Sequence, residues 1–106
     1  MLLTVDIGNT NITLGVFEGK KLHVTFRMTT IQTRTSDEYG MVMCELLEHN
    51  DVKVEEITDV IVASVVPNVM HSLTSAIIKY FHTKPIIIEA GVKTGIRVAS
   101  KNPRQV

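Results

Sequence analysis

A chain of 106 residues, with 11 basic and 11 acidic side chains, is long enough for one compact domain and too short for two. Its formal net charge of zero leaves no broad positive field for nucleic acid or an anionic membrane, so any phosphate recognition must be local. The mix of 44% apolar and 21% charged residues is that of an ordinary soluble globular domain. Leu2 to Ile7 is short, apolar and rich in β-formers, which predicts a buried strand. Asp6-Ile7-Gly8-Asn9-Thr10-Asn11 interrupts it with turn-forming residues. Ile12 to Phe17 then alternates through Ile12, Leu14 and Val16. After a second turn, Glu18-Gly19-Lys20-Lys21, the segment Leu22 to Met28 alternates again through Leu22, Val24 and Phe26. Three strands joined by tight turns predict an antiparallel meander.

A helix is predicted next. Thr35-Ser36-Asp37-Glu38 fits a capping box with Thr35 as N-cap, and the two acids suit the positive end of the helix dipole. Tyr39, Val42, Met43, Leu46 and Leu47 give one apolar face, and Asn50-Asp51 ends it. Val60 to Val66 is a nearly continuous β-branched run, as expected of a central strand covered on both faces. Pro67 ends that run and Asn68 is placed to cap a second helix, whose buried stripe is Val69, Leu73, Ala76, Ile77, Tyr80 and Phe81. Pro85 to Ile88 reads as another buried strand, Gly91 to Gly95 as a loop and Ile96 to Ala99 as a short strand. The expected fold class is α/β, a mixed sheet with the order β-β-β-α-β-α-β. Lys101 to Val106 reads as a loop entering a further element, so the chain is expected to continue.

Cys44 is the single cysteine, lies in an apolar helical stretch and reads as a core residue. Asp6 interrupts the first apolar run too early for a signal peptide, and no stretch approaches the roughly 20 apolar residues that span a bilayer. A cytoplasmic location is the default that follows. His23, His49, His71 and His82 show no metal-site spacing. Arg34, Asp37 and Glu38 read as capping and ion-pairing groups.

The segment that carries chemistry is Asp6-Ile7-Gly8-Asn9-Thr10-Asn11-Ile12-Thr13. Gly8 can take a positive φ and lets a ligand approach the backbone. Asn9, Thr10, Asn11 and Thr13 bring hydroxyl and amide donors, and successive N–H groups in such a turn form an anion-binding concavity. Asp6 supplies the carboxylate suited to a Mg2+ ion bridging nucleotide phosphates. Asp-x-Gly-Asn between strands is also the composition of a plain hairpin turn, and composition alone leaves both readings open.

The wider context resembles the first half-domain of the acetate kinase, sugar kinase, heat-shock chaperone and actin superfamily, whose ribonuclease H-like halves begin in this manner. Within it the chain is most similar to the type III pantothenate kinase family. Asp6-Ile7-Gly8-Asn9-Thr10-Asn11 resembles that family's first phosphate motif, Arg34-Thr35-x-Asp37-Glu38-Tyr39 its first-helix segment, and Ser64-Val65-Val66-Pro67 its central strand and turn. Gly91-Val92-Lys93-Thr94-Gly95-Ile96 and Asn102-Pro103-Arg104-x-Val106 complete the set in order over the whole chain. The resemblance implies an N-terminal half-domain, residues 1–106, of an enzyme that phosphorylates pantothenate with ATP, the first step toward coenzyme A. It implies that Asp6, Ile7, Gly8, Asn9, Thr10, Asn11, Ile12 and Thr13 contact nucleotide, with Asp6 toward Mg2+. The family's general-base aspartate would lie just beyond Val106. Its monovalent-cation ligand (for K+ or NH4+) would lie further on, and the full-length protein would be a homodimer. Ser100 occupies the position of a tyrosine that lines the family's pantothenate pocket, and Glu89-Ala90 stands where a Gly-Pro is usual. A second implied function is a non-catalytic nucleotide-binding protein, an accessory factor in transcription.

Overall fold

The computed structural model describes residues 1–89. The expected Gly91–Gly95 loop, the Ile96–Ala99 strand, Ser100 and the Asn102-Pro103-Arg104 segment lie outside the described residues. Strands β1 (Leu2–Ile7), β2 (Asn11–Glu18) and β3 (Lys21–Thr29) come first, followed by helix α1 (Ser36–His49), a single 3-10 turn (Val54–Glu56), β4 (Asp59–Ser64), α2 (Pro67–Phe81) and β5 (Ile86–Glu89). They form one mixed sheet of order β3-β2-β1-β4-β5. The β1-β2 and β2-β3 pairs are antiparallel, as the meander requires, and β4 runs parallel to both β1 and β5. The α/β class with an antiparallel first trio is therefore present.

Alternation along the strands decides which face is covered, because successive side chains point to opposite sides. Leu3, Val5 and Ile7 of β1 sit in register with Val16, Leu14 and Ile12 of β2, and all six are buried. Val60 and Val62 of β4 join them, and both helices close over this one face with Tyr39, Met43, Leu47, Val69, Leu73, Ala76 and Ile77. The opposite face carries Leu2, Thr4 and Asp6 of β1 beside Ile61 and Ala63 of β4, all partly or fully exposed. β4 is thus internal to the sheet as its sequence implied. Among the described residues, however, helices cover it on one side only. Ile61 and Ala63 are half-buried rather than enclosed.

A register shift also overturns part of the β3 pattern. Val24 and Phe26 pair with Val16 and Leu14 on the covered face, but a bulge sets Leu22 opposite Phe17 on the open face. Leu22 and Phe17 gather there over Gly15, whose added Cβ would lie 3.0 Å from the Thr4 hydroxyl oxygen. Side-chain periodicity alone cannot reveal a one-residue slip.

Helix α1 starts on the expected capping box. The Glu38 N–H donates to Thr35 Oγ1 at 3.2 Å and the Thr35 N–H donates to Glu38 Oε1 at 2.8 Å. Its end falls at Asn50 and Asp51 as expected, with Asp51 in the left-handed region at φ 60°. Helix α2 differs from expectation at its start: Val66 is the N-cap and provides no side-chain cap, and Pro67 occupies the first turn. Proline suits that position because its fixed φ is helical and its missing N–H has no partner there anyway. Asn68 therefore lies inside the helix, not at its cap. No helix among the described residues is long and apolar enough to cross a membrane.

Candidate phosphate-binding site

The turn between β1 and β2 occupies Gly8 to Thr10. It closes with the Gly8 N–H donating to the Asn11 carbonyl at 2.9 Å. Gly8 is not in the left-handed region; among the described glycines only Gly19 is, at φ 64°. Its value here is close approach, because a Cβ at Gly8 would stand 3.1 Å from the Asn11 carbonyl oxygen. The expected positive φ is therefore corrected to a steric requirement set by the turn's own hydrogen bond.

The eight residues of the expected site divide by where their side chains point. Asn9, Thr10, Asn11 and Thr13 are exposed, as is Asp6. Asp6 and Thr13 are register partners on the open face of the sheet, immediately below the turn, with Arg27 of β3 next in the same row. Ile7 and Ile12 are buried in the core, so any ligand contact from these two comes from the main chain alone. Asp6 takes part in no ion pair among the described residues. Ser100 lies outside them.

Thr30, which follows β3, was not singled out from the sequence. Its N–H donates to the Thr10 carbonyl at 2.9 Å and its hydroxyl donates to the Gly8 carbonyl at 2.9 Å. No local sequence signal marks it: Thr30 meets Thr10 one step past the Asn11↔Thr29 pair, in a register that the assembled sheet fixes. In a trans peptide the N–H points opposite the C=O. Holding the Gly8 and Thr10 carbonyls on Thr30 therefore turns the Asn9 and Asn11 amides to the other side of the turn. Among the described residues the Asn9 N–H meets no backbone acceptor.

The other wall begins where β4 ends. Ile7 and Ser64 are register partners, and the Val65 N–H donates to the Ile7 carbonyl at 3.2 Å. The Ser64 hydroxyl turns back on its own chain, donating to the Val66 carbonyl at 3.0 Å and accepting the Val66 N–H at 2.9 Å. Helix α2 thus starts beside the turn with its first-turn amides free of a side-chain cap. The helix dipole adds positive potential there without any basic side chain. Two bonded turn carbonyls, an Asn9 N–H without a backbone acceptor among the described residues, exposed Asn and Thr side chains, one carboxylate and a helix start together suit a phosphorylated ligand.

The described chain is a five-stranded mixed α/β sheet with two helices on one face and a polar turn between its first two strands. A crystal structure from Porphyromonas gingivalis, named as a "Putative N-acetylglucosamine Kinase", superposes with a TM-score of 0.62 over 84% of this chain and 34% of that one; at 20% identity the likeness concerns the fold. The model of the type III pantothenate kinase family matches residues 2–106, and the chain belongs to that family. A curated protein of Agathobacter rectalis named type III pantothenate kinase is 58% identical over all 106 residues. The chain spans 41% of that relative's length.

Proposed function

We propose that this chain supplies the first phosphate-binding wall of an enzyme that transfers a phosphoryl group from ATP to the primary hydroxyl of pantothenate. The observation that carries the reading is the Gly8–Thr10 turn, with both of its outer carbonyls held on Thr30 and the Asn9 N–H left without a backbone acceptor among the described residues. Family membership supports the substrates. Phosphoryl transfer passes through a loose transition state with charge spread over the phosphoryl oxygens, so fixed N–H donors placed beforehand lower the barrier. In this reading the Asn9 and Asn11 amides and the Thr10 and Thr13 hydroxyls hold phosphate oxygens. Ile7 and Ile12 anchor the turn from inside the core.

Asp6 fits a Mg2+ ion: it is a hard oxygen ligand, exposed, unpaired among the described residues and adjacent to the turn. Among those residues no three His, Cys, Asp or Glu side chains converge on a cation site. An ion there would take most of its ligands from nucleotide phosphate and water, as Mg2+ commonly does. When bound it neutralises phosphate charge. The resemblance assigns the base that accepts the hydroxyl proton to an aspartate beyond Val106, and the K+ or NH4+ ligand further on. It assigns substrate contacts to Ser100 and a homodimer to the full-length protein.

The test is ATP-dependent phosphorylation of pantothenate by the gene's full-length product, with Mg2+ and with ammonium or potassium present. Turnover supports the proposal. A folded full-length protein that binds ATP without phosphorylating pantothenate would overturn it in favour of a non-catalytic nucleotide-binding protein.

A further inference from the structure

We infer that Thr30 and Tyr39 are positioning residues for the phosphate-binding turn, Thr30 directly and Tyr39 through Ile31. The inference rests on the phosphate-binding reading of the turn. Tyr39 is fully buried in the first turn of α1, where its ring is part of the core. Its hydroxyl donates to the Ile31 carbonyl at 2.7 Å and accepts the Ile31 N–H at 3.2 Å. One phenol oxygen therefore holds both polar groups of a single residue in the segment between β3 and α1. The Arg34 guanidinium lies 5.4 Å from the centre of the same ring, on the segment that Tyr39 ties down.

Ile31 is itself 37% exposed, and besides the two tyrosine bonds its backbone is held by the Arg34 N–H, which donates to its carbonyl at 3.1 Å from within the same segment. Thr30 is its neighbour and passes the constraint on. Its N–H and hydroxyl take the Thr10 and Gly8 carbonyls, across 20 and 22 positions of sequence, and thereby set the direction of the Asn9 and Asn11 amides. Without the hydroxyl the Gly8–Asn9 peptide loses the partner that keeps its carbonyl inward. The turn, rich in Asn and Thr, can then rotate that peptide and point its N–H away from the ligand. Donors placed in advance are worth more than donors that must reorient as charge develops.

The chain of contacts predicts an effect on nucleotide and not on the acceptor alcohol. In the full-length product, Thr30→Val removes the hydroxyl bond while keeping the side-chain shape, and Thr30→Ser keeps the hydroxyl. Tyr39→Phe removes both bonds to Ile31 and leaves the buried ring. Binding of Mg-ATP and the kinetics of pantothenate phosphorylation are measured for each. Thr30→Val is expected to raise the KM for ATP by about three- to tenfold, the loss of about one hydrogen bond. It should lower kcat and leave the KM for pantothenate within about twofold, and Thr30→Ser should restore the parent values. Tyr39→Phe should shift the same parameters in the same direction. Parent-like ATP parameters for Thr30→Val overturn the inference. So does an equal loss for both substrates that follows the melting temperature and is not restored by Thr30→Ser. A parent protein that binds no ATP removes the underlying site, and that failure is visible before any variant is compared.

Discussion

Gly40 sits in α1 where α2 passes closest, and a Cβ there would lie 2.3 Å from the Tyr80 ring. Alanine is favoured over glycine inside a helix by about 1 kcal/mol, so propensity alone predicts stabilisation. The overlap decides the opposite sign: Gly40→Ala is expected to destabilise by about 1–3 kcal/mol in urea denaturation, the usual cost of overpacking. With Tyr80→Ala in the same chain the obstacle is gone, and Gly40→Ala should become neutral or stabilising. Tyr80 also donates its hydroxyl to Asp37 Oδ1 at 3.0 Å, beside the Lys79 ammonium at 2.8 Å. Asp37 is held below its ordinary 3.8 first by the hydrogen bond from Lys79, then by that from Tyr80 and by the Lys79 charge. A depressed carboxyl contributes stability that is complete above its unfolded value and is lost as pH falls through the folded one. Lys79 is raised above 10.5 by the same hydrogen bond and charge, so its share is present below that value and is lost as pH rises through the folded one. The cluster therefore acts in the window between 3.8 and 10.5. Asp37→Asn should lower the melting temperature slightly at neutral pH, by an exposed pair's small effect. That difference should vanish in acid below the folded Asp37 pKa; a constant difference down to acid pH would contradict the assignment. Cys44 takes the reverse shift, raised by burial and then by Glu48, which suits a packing residue rather than a thiolate.

The elements differ in how much of each was written locally. The capping box of α1 was legible because its two members stand three residues apart and bond within one turn. Thr35→Ala is expected to cost about 1 kcal/mol in denaturant unfolding. Glu38→Gln, which keeps an acceptor for the Thr35 N–H, should cost less than half of that. The buried stripe of α2 was largely legible from its spacing: Val69, Leu73, Ala76, Ile77 and Phe81 are in the core, while Tyr80 is half-buried at its edge. Its start was not. Val66 caps it without a side-chain bond because the preceding strand ends in a turn made by Ser64, a contact that involves neither Pro67 nor Asn68. The Val54–Glu56 turn escaped prediction for a similar reason: three residues carry no periodicity.

At the scale of the molecule, the strand order β3-β2-β1-β4-β5 brings the Gly8–Thr10 turn, the proposed phosphate site, to the end of the sheet where α2 begins. One wall of a nucleotide site offers few contacts, and ligand pockets normally enclose most of their ligand. The 106-residue chain by itself is therefore expected to show no measurable phosphorylation of pantothenate under conditions where the full-length product turns over. In the full-length product Asp6→Asn should raise the Mg2+ concentration needed for half-maximal rate, because the carboxylate charge beside the phosphates is lost. An unchanged Mg2+ dependence would remove Asp6 from the metal's surroundings.

The sequence by itself determined what neighbouring residues decide: the five described strands, both helices, the covered face of β1 and β2, the α1 cap and the position of the polar turn. These follow from periodicity and from hydrogen bonds that close within a few residues. The tertiary structure alone decided the partners that lie far apart along the chain. Thr30 against Gly8 is separated by 22 positions and Lys79 against Asp37 by 42. The parallel pairing of β1 with β4, the Leu22 bulge and the Gly40–Tyr80 approach belong to the same group. Their physical cause is packing of one element on another, which fixes distance and direction only once the whole sheet is assembled.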